Sequence, residues 1–300
     1  MRNRTAFTMI ELIFVIVVMG IIGKFGVEFL AQAYKSFIFS SINNTLQSNS
    51  ASAVEFIAKR LESRIKDSVV ARVAPTTGHI ALGSVNPNVN YTVLEWIGSD
   101  IDGFRGDITP NWSGIIDLDV GAGANLLMSP ATDTNTTNTL IATLSAGGSA
   151  GAASGINDAA LYFVGSNTDI NMYGYNTASG TSITDQNSVM HPINRNAIIT
   201  NFVPAIGNFA GIDVYEYYKL AWTAYAIVFT TTGTNIGNLT LYYDYQPWDG
   251  EIMTDGDSAI IMEDISTFRA ISIGSIIKIQ VCAKSDVVEE YSLCKEKTIF

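Results

Sequence analysis

Histidine, cysteine and, beyond the first quarter of the chain, basic side chains are scarce in this 300-residue sequence, and each scarcity closes off a class of chemistry. The two histidines, His79 and His191, are isolated, with no second His or Cys at ligand spacing, so a zinc site has little support and each reads as a turn or surface residue. A set of nucleophile, base and orienting group is equally hard to find. Gly147, Ser149 and Gly151 spell G-x-S-x-G, but they lie in low-complexity sequence with no apolar run before Gly147 to supply the strand that a nucleophile elbow needs. The chain is therefore expected to be non-enzymatic and to carry no cofactor. Residues 73–300 hold eight Lys/Arg against 23 Asp/Glu, whereas residues 1–72 hold nine against five. The acidic portion lacks the basic face that phosphate contacts require, which argues against nucleic acid as a partner and against DNA uptake on its own surface.

What is there, by contrast, is concentrated at the N-terminus. Phe7 to Gly23 reads FTMIELIFVIVVMGIIG, with Glu11 its single charge, behind a polar leader, MRNRTA, that carries Arg2 and Arg4. These positions reach about 25 Å as a helix, enough to cross a bilayer core. A carboxylate near the membrane face of such a helix costs about 2 to 3 kcal/mol without a partner, so Glu11 calls for a cation. An ordinary secretory signal places small residues after its apolar core, whereas Ala6 comes before this one.

Basic leader, small residue, Phe7, Thr8, an apolar pair, Glu11 and a long apolar helix together resemble the class III signal of type IV prepilins and type II secretion pseudopilins. The resemblance implies that a prepilin peptidase cuts between Ala6 and Phe7, N-methylates Phe7 and leaves the helix attached. It also implies that Glu11, the fifth residue after the cut, meets the new N-terminal amine of a neighbouring subunit when the helices bundle into a filament. The one departure is Ala6, where most members of the family carry Gly. The other reading is an uncleaved signal anchor with an incidental Glu.

If the globular part is exported, it faces an oxidising compartment, and the two cysteines, Cys282 and Cys294, are expected to close a short disulfide loop near the C-terminus. Many pilins carry such a loop. Two free buried thiols are the alternative.

The helix is expected to continue past a weak stretch at Gly20, Gly23 and Gly26. Val54, Ile57, Leu61, Ile65 and Val69 then recur at steps of three or four, with Glu55/Lys59 and Glu62/Lys66 paired on the wet side, until Pro75 stops it. Beyond Pro75, β segments are expected at Tyr91 to Ile97, Ala160 to Val164, Ala197 to Phe202, Tyr225 to Thr230, Leu239 to Tyr245, Ala259 to Met262, Ile276 to Val281 and Lys295 to Phe300. The clearest hairpin is Tyr225 to Tyr245. The fold class is α+β: a long N-terminal helix, membrane-spanning in its first half, packed by its second half on a mainly antiparallel sheet. The expected organisation is a leader over 1–6, an assembly helix over 7–34, an amphipathic helix over 35–75 and a β-rich domain over 76–300. Residues 130–157, dominated by Thr, Asn, Ala, Gly and Ser, read as a mobile surface insertion.

Three smaller features remain. Asp133, Asn135 and Thr137 match the acidic, extended N-glycosylation sequon of some bacteria. Asp100, Asp102 and Asp107, and Asp249, Glu251, Asp255 and Asp257, combine carboxylates with turn-making Gly as calcium loops do, although neither group fits the EF-hand spacing and no metal site is assigned. Trp96, Trp112 and Trp248 stand beside turns, where an aromatic either anchors a partner or pins a loop to the core.

The expected function is a minor pilin or pseudopilin of a type IV pilus or type II secretion filament. Its partners would be other subunits, through the helix, and the prepilin peptidase. It would sit in the inner membrane as a single-pass protein with its domain in the periplasm, and then in the filament. A membrane-tethered surface adhesin or binding protein is the alternative, and an anchored hydrolase, resting on the G-x-S-x-G match alone, a third.

Overall fold

A computed structural model of the protein describes residues 8–86, 88–119, 122–145, 155–175, 183–285 and 291–300. The chain forms two compact units, one ending at Ser48 and one spanning Asn49–Phe300. Helix α1, Met9–Glu62, begins in the first and ends in the second.

In the first unit, over residues 9–37, α1 carries its apolar side chains outward on every side: Leu12, Phe14, Ile16, Met19, Ile22 and Phe25 are all more than half exposed. In the second unit the same helix has a single apolar face. Ser50, Ala53, Val54, Ile57, Ala58 and Leu61 are buried, at helical spacing.

The helix stops at Glu62, well short of Pro75, and the correction has a local cause. Arg64 Nη1 donates to Leu61 O at 2.7 Å and Ser63 Oγ to Arg60 O at 2.9 Å, so side chains occupy carbonyls that the next turn would have used. Arg64 then bridges Gly98, and Ile65 N donates to Ile97 O at 2.9 Å. Ile65 and Val69 are buried as their spacing predicts, but in a chain already turned away from the helix towards the β-branched run at Val69 and Val70.

Among the described residues two sheets follow, where a single one is expected. The strands are β1 (Val70–Arg72), β2 (His79–Ala81), β3 (Val93–Gly98), β4 (Ala122–Gly123), β5 (Leu126–Met128), β6 (Ala160–Phe163), β7 (Met190–Arg195), β8 (Asn201–Pro204), β9 (Tyr218–Ala221), β10 (Thr223–Gly233), β11 (Ile236–Tyr243), β12 (Asp257–Ile273), β13 (Ile276–Lys284) and β14 (Ser292–Ile299). The larger sheet has the order β14-β13-β12-β11-β10-β3-β1-β2 and the smaller β4-β5-β8-β7-β6-β9. Their described pairings are antiparallel. The expected hairpin is present, with Ala226 opposite Tyr242 and Phe229 opposite Leu239.

Strand β6 shows why a second sheet exists. Its four residues, Ala160 to Phe163, are all apolar and all buried, the pattern of a strand covered on both faces. Ala160 and Tyr162 join one core, with Ile97, Ala224, Ala226 and Val228 of the larger sheet. Leu161 and Phe163 join another, with Ile193, Phe202 and Ile141. Two shorter helices follow α1, namely α2 (Ile101–Arg105) and α3 (Thr134–Leu144), and Ile141 comes from α3, within the stretch whose composition suggests a mobile insertion. Asp133 caps α3 by accepting from Asn135 N and Thr136 N, and that cap turns a Thr/Asn-rich run into a helix with one buried face.

On the far face of the larger sheet, the Trp96 ring lies 5.8 Å from Tyr225 and tilted to it, and the Tyr225 ring lies 5.9 Å from the Arg60 guanidinium of α1. Lys297 of β14 binds Glu55 of α1 at 2.6 Å. The last turns of α1, the larger sheet and the smaller sheet are thus successive layers of the second unit.

Candidate functional site

The start of α1 is built by four residues, Thr8 to Glu11. Thr8 precedes the first helical residue, and its carbonyl accepts from Glu11 N at 3.1 Å and Leu12 N at 3.3 Å. Glu11 reaches back: its Oε2 accepts from Thr8 N at 2.9 Å and from Thr8 Oγ1 at 2.7 Å. Thr-x-x-Glu is the capping-box pattern, and here the glutamate half of it is made. The carboxylate that the sequence marks as needing a cation therefore has two neutral donors within its own chain. Ala6 and Phe7, the residues of the expected cut, lie outside the described residues.

Downstream, the first part of the helix is unburied, and it is long and apolar enough to cross a membrane. Gly20, Gly23 and Gly26 lie within it without ending it, and a Cβ at any of them would meet nothing within 4 Å. Small residues on an apolar helix leave room for a second helix to approach closely. Leaving this much apolar surface in water is unfavourable by about 25 cal/mol per Å², so the segment requires lipid or other helices around it.

The globular unit settles several residues that sequence alone leaves open. Cys282 and Cys294 form a disulfide between directly opposed residues of β13 and β14. Trp96, Trp112 and Trp248 are buried, so they pin loops and do not offer themselves to a partner. Trp112 Nε1 donates to Asp100 Oδ2 at 2.9 Å and Trp248 Nε1 to Asp158 O at 3.0 Å.

Three carboxylates of the acidic turns are taken up by backbone donors: Asp100 Oδ1 accepts from Gly103 N, Glu251 from Gln246 N and Asp255 from Ile252 N, while Asp102, Asp107, Asp249 and Asp257 are exposed. Burial pushes the Asp100 carboxyl up, opposed by the Gly103 N–H and the Trp112 indole. Among the described residues no three His, Cys, Asp or Glu side chains gather to hold a metal ion. In the sequon, Thr137 is buried with its hydroxyl on Asp133 O at 2.9 Å, and Asn135 Oδ1 accepts from Arg195 at 3.3 Å. Of that match, Asp133 is the helix cap and Thr137 is buried, while the Asn135 side chain is exposed. The G-x-S-x-G stretch, Gly147 to Gly151, lies outside the described residues.

His191 is a correction: it is 2 % exposed, on β7, with its ring 4.9 Å from Phe163. Burial pushes its pKa down to about 4. His79, on β2, is half-buried and 5.6 Å from Tyr175, and both of its ring nitrogens are enclosed. Sequence reading also misses a buried ion pair between the sheets, Arg72 to Glu95 at 2.7 Å. A signal for it exists, since each is a lone charge in a strongly apolar run, VVARVA and VLEWIG, which predicts burial in company.

No protein-family model matches this chain, and neither does any curated protein or any solved structure.

Proposed function

We propose that the protein is a non-enzymatic minor pilin or pseudopilin subunit, anchored in the inner membrane with its globular unit in the periplasm. It would be cleaved between Ala6 and Phe7, N-methylated at Phe7 and assembled through the first part of α1 into a type IV pilus or type II secretion filament. The observation that carries the reading is the helix Met9–Glu62, apolar on every side at its start except for Glu11 and amphipathic only where it enters the β unit. A helix with those two surfaces serves two surroundings: an apolar bundle or bilayer for the first part, a protein core for the last turns. Glu11 would then exchange its Thr8 donors for the N-terminal amine of a neighbour. The carboxylate makes charge-assisted bonds in either state, but an ammonium adds the attraction of a full opposite charge inside an apolar bundle, which is what would favour the exchange.

A second reading, a membrane-tethered surface adhesin or binding protein, is favoured by those same Thr8 donors. They satisfy Glu11 without any neighbouring subunit.

The experiment is intact-mass analysis and N-terminal sequencing of protein recovered from membranes of cells that carry a prepilin peptidase. The expected N-terminus is N-methyl-Phe7. An N-terminus at Met1, or a cut after Gly20 or Gly23, would remove the reading.

A further inference from the structure

The loop at residues 209–215 forms one side of a cleft of about 190 Å³ in the globular unit. Its floor includes two buried polar side chains, Gln186 and His191, each 2 % exposed. Gln186 Nε2 donates to Pro192 O at 3.2 Å and to Ile206 O at 2.9 Å, which uses both amide hydrogens. Its Oε1 is therefore the atom 3.1 Å from His191 Nδ1, and an amide oxygen only accepts. Nδ1 must carry the imidazole proton, and Nε2 is left as a lone-pair acceptor. Among the described residues nothing bonds to that nitrogen. With its pKa pushed down to about 4 by burial, the ring stays neutral at pH 7.

The rim is rich in hydrogen-bonding groups and poor in charge. Ser166, Asn187, Ser188, Asp213 and Tyr215 line it, and their side chains make no hydrogen bond to any described residue. Among the described residues no Lys or Arg lines the cleft, so phosphorylated, sulfated or carboxylated ligands find no counter-charge there. Met172, Val189 and Ile212 supply apolar contact between the polar groups. Pockets for drug-sized ligands run to about 300 to 1,000 Å³, so this cleft is suited to something smaller. A small ring that is apolar on its C–H faces and ringed by hydroxyls is of that kind.

We propose that this cleft binds one ring of a neutral carbohydrate. His191 Nε2 and the Asp213 carboxylate accept from sugar hydroxyls, Asn187 and the two serines serve further hydroxyls, and Tyr215 lies against a C–H face. This inference does not depend on the filament reading: a tip subunit and a tethered binding protein would use the cleft alike.

The test is saturation-transfer NMR on the full chain in lauryldimethylamine oxide micelles, which contain no sugar. The probes are glucose, galactose and N-acetylglucosamine, with glucuronic acid and glucose 6-phosphate as anionic counterparts. At least one neutral sugar is expected to receive saturation, with a Kd on the order of 1 mM. Asp213→Ala and Asn187→Ala, at exposed positions and with unchanged melting temperatures, should each weaken it by about tenfold. No transfer to any neutral sugar at about 50 mM, tighter binding of either anionic sugar, or unchanged affinity in both variants would overturn the proposal.

Discussion

The Arg72 guanidinium and the Glu95 carboxylate meet at 2.7 Å in the layer between the two sheets, each side chain 2 % exposed. Tyr245 donates to the second carboxylate oxygen at 2.9 Å, and Arg72 Nη1 donates to Thr77 O at 2.8 Å. Burial pushes the Glu95 carboxyl up, while Arg72 and the Tyr245 hydroxyl oppose it. A pair this deep is costly to form and costlier to halve. Its members sit on β1 and β3, whose register sets Val70 opposite Glu95 and Arg72 opposite Val93, so the pair reads as a registry pin.

Halving the pair is therefore expected to be severe. Arg72→Met leaves the carboxylate buried without its cation and should cost about 3 to 5 kcal/mol in urea denaturation. The double variant Arg72→Met/Glu95→Gln keeps an acceptor for Tyr245 and should recover most of that loss. A double variant as unstable as the single one would show that the pair acts through something other than its charges.

The disulfide makes a local prediction. Cys282 and Cys294 tie β14, at the edge of the eight-stranded sheet, to β13. For a loop of this length the chain-entropy model gives about 3 kcal/mol. Cys282→Ser/Cys294→Ser should lower stability by that order. It should also speed amide exchange in β14 before it does so in β3, which lies deep in the same sheet. Uniformly faster exchange would mean that the edge does not open separately.

His191 fixes a pH dependence. Its folded pKa is about 4 and its unfolded value about 6.5, so between these the unfolded chain binds a proton that the folded one refuses. Stability attributable to this group is complete above the unfolded value and is lost as pH falls towards 4. From pH 7 to pH 5 the loss is about 2 kcal/mol. His191→Gln should flatten that part of the melting-temperature profile relative to wild type, whatever its effect at pH 7. Parallel profiles would contradict the burial assigned to the ring.

How much of this could be read from the residues depends on whether the signal is local. The apolar run from Phe7, the Tyr225 to Tyr245 hairpin and the Cys282 to Cys294 bond all rest on neighbouring residues or on a short loop, and each was legible. The C-terminal boundary of α1 was not, because Val54 to Val69 keeps a helical spacing across a break made by Arg64 and Ile65 bonding to β3, far along the chain. Helix α3 was hidden for the opposite reason: its composition is that of a loop, and only the Asp133 cap and the fit of Ile141 into a distant core make it a helix. The cleft beside His191 was invisible for the same kind of cause. Gln186, His191 and Asp213 have no common spacing, and they meet only because β7 and the loop at residues 209–215 are brought together.

Glu11 admits two roles, and one substitution separates them. As a helix cap it needs an acceptor that reaches back to Thr8 N, which glutamine supplies as well as glutamate does. As the partner of a neighbour's amine it needs a negative charge, which glutamine lacks. Glu11→Gln and Glu11→Ala should both still be cut and inserted, and by removing a charge from an apolar helix they should insert at least as readily as wild type. If the filament reading holds, both should be excluded from filaments to a similar degree, since leaving one member of a buried pair alone costs about 3 to 5 kcal/mol. If capping is the whole role, Glu11→Gln should assemble like wild type and only Glu11→Ala should fall, by the 0.5 to 2 kcal/mol typical of a lost cap, or about two- to thirtyfold. The measurement is co-expression of each tagged variant with the filament machinery, followed by quantification in sheared filaments against the membrane pool. A glutamine variant that partitions like wild type would move Glu11 from the subunit contact to the helix start, and would leave the filament reading resting on the two surfaces of α1 alone.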